Sequence, residues 1–300
     1  MTTVDSKSQE ANTPPLIVVV GETASGKTSA SIKIAQQVGG EIICADSRTV
    51  YKNMDISTAK PTKEEQSMVR HHLIDVVDPS QKFSVAEFKR MAEKCIQDIS
   101  HRGKIPIVVG GTGLYVDALL YNFQFTNKSN ETYRTQLLQM NDEELTTLLK
   151  TKNIDTSSLN TKNRRHVIRA IERGNTQPVR SVLRKNTVVL GITLDRELLK
   201  QRIATRVDQM FREGVIEEIR AVSDLYGWDV EALSGANYIV VRDHLQGKAS
   251  EQDVSDAFIK RDISLAKRQR TWFKRNNDIE WFGDTQALIE RAVVFAIGRS

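Results

Sequence analysis

Residues 21–28 read Gly-Glu-Thr-Ala-Ser-Gly-Lys-Thr and fit the spacing GxxxxGK[ST]. The chemistry of that spacing is phosphate binding. Gly21 and Gly26 let the backbone turn so that successive N–H groups point inward at an anion. Lys27 adds a point charge, the Thr28 hydroxyl is placed to ligate Mg²⁺, and the following helix offers its positive end. The motif specifies a polyphosphate without specifying ATP. A second candidate is Asp46, which closes the apolar run Glu41–Ala45. In α/β sheets ligands bind beyond the carboxyl ends of strands, which brings this carboxylate beside the phosphate loop. There it can hold Mg²⁺ through water or take a proton from a nucleophile; a turn or helix-capping aspartate would read the same way. Gly110, Gly111, Thr112 and Gly113 form another glycine turn, which permits close backbone approach and sets Thr112 at the same edge. The pair His71 and His72 reads as surface or packing residues, and Cys44 and Cys95 as reduced, buried thiols without metal-ligand spacing.

These residues need a frame. Leu16–Val20 is a continuous apolar, β-branched run, as in a strand buried on both faces, and a helical stretch follows from Thr28 to Val38. Glu41–Ala45, Leu73–Val77 and Ile105–Val109 are the next strand candidates. Phe83–Ser100 has helical periodicity through Phe83, Phe88, Met91, Cys95, Ile96 and Ile99, with Ser84 and Glu87 as a capping box. Strands alternating with helices predict a parallel sheet with right-handed crossovers. Strand character is weak from Asn122 to Lys185 and returns at Thr187–Leu194; helical patterns cover Arg196–Tyr226 and Ser250–Arg275. The expected class is therefore α/β: a P-loop NTPase-like parallel sheet flanked by helices, with a small helical insertion. Residues 14–121 and 186–300 form the core, 122–185 the insertion, and the polar stretch 1–13 a disordered tail.

The chain of 300 residues is 39% hydrophobic and 27% charged, enough for a packed core. It contains no run of some 20 apolar residues, so no membrane span is expected, and no signal segment. The net charge of +5 is a mild hint of a polyanionic partner. Its distribution says more. Lys260, Lys267 and Lys274 repeat every seven residues, as do Arg261, Arg268 and Arg275. On a helix these six cations form one stripe, with Phe258, Ile263, Trp272 and Phe273 anchoring other faces. Arg165, Arg169 and Arg173 share a second face, opposite Val167, Ile168 and Ile171. A solvated helix face normally mixes signs, and the unmixed stripe favours contact with a nucleic-acid backbone.

Taken together, GETASGKT, ADSRTVYKNMDISTAKPT, HHLIDVVDPSQKFSVAEF, IPIVVGGTGLYVDALL, RRHVIRAIE, RIATRVDQMFREGVIEEI and AKRQRTWFKR resemble the tRNA dimethylallyltransferases, also called tRNA isopentenyltransferases, in the family's order and over most of the chain. The resemblance implies a reaction. The exocyclic amine of the adenosine next to the anticodon attacks dimethylallyl diphosphate, and diphosphate leaves. It implies that Gly21, Thr23, Ala24, Ser25, Gly26, Lys27 and Thr28 hold the donor's diphosphate, together with Arg202 or Arg206, which lie four apart on one helix face. Arg206 is favoured as the catalytic partner of Lys27 and Thr28. Asp46 matches the family's general base. Asp46, Ser47, Arg48, Thr49 and Thr112 fall on the tRNA side, joined by Arg165, Arg169, Lys267, Arg268 and Lys274. Mg²⁺ at Thr28, tRNA recognised through its anticodon stem-loop, a monomer and a cytoplasmic location complete the expectation.

Several positions depart from the family pattern. Glu22 stands for a usual proline, Thr49 for a glutamine, Ser57 for a glycine, and Asn237–Val240 for a Gly-Tyr-basic-acidic pattern. An acid beside a diphosphate site is unexpected. Three other readings compete: an adenylate prenyltransferase forming cytokinin, an ATP-using small-molecule kinase, and an RNA-binding relative without activity. The first has no need of the basic insertion or the stripe, and the second predicts ATP at the loop and phosphoryl transfer.

Overall fold

The apolar run Leu16–Gly21 forms β1, and every residue in it is buried. The computed structural model describes residues 13–123, 131–157, 159–174 and 181–298. After β1 come α1 (Lys27–Val38), β2 (Gly40–Cys44), α2 (Lys63–Met68), β3 (His71–His72), α3 (Val85–His101), β4 (Ile105–Gly110) and α4 (Gly113–Leu120). Three helices follow, α5 (Glu131–Gln139), α6 (Asp142–Thr151) and α7 (Arg164–Arg173). Then come β5 (Thr187–Ile192), α8 (Arg196–Arg212), α9 (Val215–Tyr226), α10 (Ala236–Leu245), α11 (Glu251–Phe273), β6 (Ile279–Phe282) and α12 (Thr285–Ile297).

The six strands pair in the order β3-β2-β4-β1-β5-β6, all parallel. A parallel sheet must be covered on both faces. On one side Ile17, Val19, Ile42, Ile107 and Leu190 pack with Ile34 of α1 and Leu288, Ile289 and Ala292 of α12. On the other, α3 lies against β2 and β4, and α11 against β1. A second apolar cluster, with Tyr51, Met54, Val207, Ile219, Tyr238 and Phe258, joins the segment after β2 to α8–α11. The Ser84–Glu87 capping box opens α3, and its buried face is Phe88, Ala92, Ile96 and Ile99, with Met91 and Cys95 at the margin.

The chain divides into two compact units, one within 1–120 and 183–300, the other within 121–182. The smaller unit has its own core of Leu137, Leu145, Leu149, Val167, Ile168 and Ile171. Residues 1–12 of the expected tail lie outside the described residues. Among those described, no helix is long and apolar enough to cross a membrane.

Three expectations are corrected. The third strand is His71–His72 itself, paired with Ile42 and Ile43. Leu73 and Asp75 take left-handed backbone (φ 62° and 55°), which ends the ladder, so Leu73–Val77 makes only a bridge from Val77 to Tyr51. The helical stretch 196–226 breaks at Gly214 (φ 90°) into α8 and α9. After Phe273 the chain adds an edge strand, β6, which alternation in four residues is too short to announce.

Candidate active site

The loop between β1 and α1 carries three residues with positive φ: Gly21 (154°), Ala24 (60°) and Gly26 (94°). A Cβ at Gly21 would stand 2.8 Å from the Ile192 carbonyl oxygen, so the first glycine is required by the neighbouring strand. Ala24 holds a left-handed conformation without being glycine, a local cost typical of ligand-gripping turns. The loop closes on itself through Ser25 N–H to the Glu22 carbonyl (3.2 Å) and Lys27 Nζ to the same oxygen (2.5 Å). Burial pulls the Lys27 ammonium down to about 8; Arg206 adds to the fall, and Asp46 and Glu22 oppose it.

The loop opens on a cavity of about 440 Å³. Thr23–Ser29 form one wall, with Arg202 and Arg206 of α8. The carboxyl ends of β2 and β4 bring Asp46 and Gly110–Gly111 to the same space, and Thr49 and Ser57–Ala59 also line it. Arg206 donates to Thr23 Oγ1 (2.7 Å) and is ion-paired with the buried Asp262 of α11. Arg202 reaches Gly26, its NH1 lying 3.6 Å from where a Cβ there would be. Both arginines therefore come to the loop, at opposite ends.

Asp46 is both a turn aspartate and a cavity residue. One carboxylate oxygen accepts from Arg48 N–H (2.7 Å) and Thr49 N–H (3.4 Å), which fixes the side chain in an Asx turn. Thr112 Oγ1 accepts from Ser47 N–H (3.1 Å), and its own N–H donates to the Ala45 carbonyl (3.3 Å), so the glycine turn after β4 braces the Asp46 turn. The close approach is strict: a Cβ at Gly110 would lie 2.0 Å from the Ala45 oxygen. Cys44, two residues before Asp46, is buried, and desolvation pushes its thiol up to about 12, which disfavours the thiolate.

Other expected residues are placed as follows. Ser47 and Thr112 brace the site without lining the cavity. Arg48 donates to the carbonyls of Glu231 (3.0 Å) and Ala232 (3.3 Å), anchoring the turn before α10. Thr49 is buried and lines the cavity, with its hydroxyl unpartnered among the described residues. Arg165 and Arg169 are exposed on α7 in the smaller unit, with Arg173 on the same face. On α11, Lys260, Lys267 and Arg268 are exposed, and Lys274 and Arg275 extend the exposed face just beyond it. The six-cation stripe is corrected at one position: Arg261 lines the cavity and pairs with Asp262 (3.5 Å), because seven residues advance slightly less than two turns and the repeat drifts around the helix. Ile263, expected as an anchor, is 36% exposed.

Sequence reasoning missed four side chains that build the site. Gln269 accepts from Thr23 N–H (2.7 Å). Arg270 binds the Glu22 carboxylate with two nitrogens, and Asp262 binds Arg206. Glu218 of α9 accepts from three consecutive N–H groups, those of Asp55 (2.6 Å), Ile56 (2.7 Å) and Ser57 (2.9 Å), and so holds the far wall. The available signals were an acid in a phosphate loop, which demands a cation, and an aspartate inside a basic stripe.

This combination defines a class: a P-loop α/β protein whose cavity joins a phosphate cradle to a carboxylate. The family model for IPP transferase matches residues 49–276. The chain is 37% identical to a tRNA dimethylallyltransferase of Bacillus licheniformis, over 91% of both chains. It is 39% identical to one of Geobacillus thermodenitrificans, again over 91% of both. Its fold is similar to the full-length tRNA isopentenylpyrophosphate transferase of Bacillus halodurans, at 36% identity and a TM-score of 0.72, covering 96% of this chain and 97% of that one. A eukaryotic dimethylallyltransferase acting on tRNA gives a TM-score of 0.77 at 25% identity, covering 94% and 78%. The chain belongs to the IPP transferase family.

Proposed function

We propose that this chain is a tRNA dimethylallyltransferase that moves a dimethylallyl group from dimethylallyl diphosphate to the exocyclic amine of the adenosine next to the anticodon. The observation that carries the reading is the shared cavity, which Lys27, Thr28, Arg206 and Asp46 all line. The amine nitrogen forms its bond to the allylic carbon as the carbon–oxygen bond breaks, and diphosphate leaves with the electron pair. Asp46, oriented by Arg48 and Thr49 N–H, accepts the proton the amine loses. Loop N–H groups, Lys27, Arg202 and Arg206 stabilise the charge that grows on the leaving group.

Mg²⁺ fits this arrangement. Among the described residues no group of three His, Cys, Asp or Glu side chains could hold a metal, and the cavity offers the Thr28 hydroxyl and the Asp46 carboxylate. That donor set suits an ion carried largely by substrate phosphates and water. When bound, it supplies further charge neutralisation to the diphosphate. The exposed cations of α7 and α11 are assigned to the tRNA backbone, Thr49 to the side of the cavity that receives the base, and the protein acts as a cytoplasmic monomer. The insertion is assigned to tRNA contact.

Transfer of labelled dimethylallyl to tRNA lacking the modification, beside AMP and an Asp46→Ala control, tests the reading. Label on tRNA that disappears with Asp46→Ala supports it. Label on AMP alone moves the protein to the adenylate class, and label on neither refutes the assigned reaction.

A further inference from the structure

Glu22 is the anomaly of the phosphate loop: a carboxylate 3% exposed, one residue past the glycine that opens an anion site. Glu22 is not among the residues that line the main cavity. Glu22 lines two smaller hollows instead, and Arg270 lines both as well. Arg270 donates to both carboxylate oxygens, through Nε and through NH2 (2.8 Å), and its NH2 also reaches the Leu194 carbonyl (3.3 Å). The neighbouring residue, Gln269, accepts from Thr23 N–H on the same loop. Two adjacent side chains of α11 thus hold two adjacent residues of the loop.

With its carboxylate held by Arg270, the Glu22 carbonyl takes two donors, Ser25 N–H and Lys27 Nζ. The charge of Glu22 is felt at Lys27, where it counts among the influences on the ammonium. An unpaired carboxylate at this depth would both pay a large desolvation cost and oppose a diphosphate on the other face of the loop.

We propose that Arg270 is a positioning residue for donor binding: its bidentate pair turns the Glu22 carboxylate away from the phosphate face, neutralises it, and leaves the Glu22 carbonyl to orient Lys27. The inference rests on the reading that the loop holds a diphosphate. It predicts an asymmetry that a simple brace would not give. Removing the cation exposes an acid to the anion site, whereas removing the acid leaves a cation there.

The test is a double-mutant cycle on Arg270→Met, Glu22→Gln and the pair of changes together, in the full chain, read by calorimetric titration with inorganic diphosphate and by donor KM against kcat. Arg270→Met is expected to weaken diphosphate roughly tenfold and to raise donor KM more than it lowers kcat. Glu22→Gln is expected to bind diphosphate as tightly as the wild type or tighter, and the double variant to return within about threefold of it. Arg270→Lys, which keeps charge and loses the fork, is expected to lie between, and serves if Arg270→Met does not fold. Wild-type affinity in Arg270→Met or Arg270→Lys overturns the proposal. So does a Glu22→Gln variant as weak as Arg270→Met, which would make the pair a brace only. Wild-type protein that binds diphosphate but transfers no prenyl group would refute the proposed function and leave this inference standing. Transfer that is insensitive to the cycle would do the reverse.

Discussion

The two walls of the cavity are built on different principles. On the side proposed to hold diphosphate, Arg206 is matched with Asp262 at the cavity, and Arg270 with Glu22 outside the cavity lining. The segment from Asp46 to Pro61 is held by a carboxylate that grips its backbone and by one buried lysine paired with two aspartates. Glu218 gathers three N–H groups, and Lys60 ties Asp55, Asp75 and the Tyr51 carbonyl together. The side chains this wall offers to the cavity beside Asp46 include small hydroxyls, Thr49 and Ser57, whose oxygens have no partner among the described residues. A diphosphate has fixed charge and needs cations held at fixed points. A neutral base needs shape and one carboxylate. The comparison teaches that ion pairs serve here to fix where charged groups lie rather than to add stability, since buried pairs contribute little net stability.

Changes on each wall should therefore fail differently. The largest effect is expected from Asp46→Ala, a fall in kcat of roughly 10²–10⁴ with donor KM nearly unchanged, measured by single-turnover transfer to tRNA. Lys27→Ala should cost about 10²–10³ in kcat/KM and, unlike Asp46→Ala, weaken inorganic diphosphate in a direct titration. If both variants lose diphosphate equally, the division between the walls is wrong.

Glu218→Gln tests the backbone-held wall. One oxygen is replaced by a donor facing three N–H groups, so kcat/KM should fall about tenfold, with a melting temperature lower by several degrees and diphosphate binding intact. The exposed cations come next. Lys267→Ala with Arg268→Ala should leave AMP-sized ligands unaffected, weaken tRNA several-fold, and reduce the salt slope of tRNA binding by about one per cation removed.

The smallest effect is in pH. Lys27 sits near 8 in the folded protein, against an ordinary lysine value of 10.5. Between those values the unfolded chain binds the extra proton, so stability of the free protein rises with pH across that window. Donor binding moves the other way, because it needs the charged form. Donor KM should rise about threefold between pH 7.5 and 8.5, and diphosphate binding near pH 8.5 should take up protons, visible by calorimetry in buffers of different ionisation enthalpy.

Much of this was legible before the structure. The buried strand Leu16–Val20, the Ser84–Glu87 cap and the loop Gly21–Thr28 are local devices, each written in a few adjacent residues. The failures were of two kinds. Leu73–Val77 has strand composition, yet left-handed residues at 73 and 75 stop the ladder, and propensity does not report the conformation of single residues. Arg261 fits the seven-residue repeat and still leaves the stripe, because that repeat drifts on a straight helix.

By itself the sequence determined what depends on neighbours in the chain: the phosphate-binding turn, the strand–helix alternation and the asymmetric charge of the helix 251–273. Only tertiary structure decided which cations serve the loop. Thr23 and Gln269 are separated by 246 residues, Glu22 and Arg270 by 248, and Thr23 and Arg206 by 183. The physical reason is that a hydrogen bond or ion pair acts over about 3 Å, and separation in sequence carries no information about separation in space until the sheet has brought β1, α8 and α11 together.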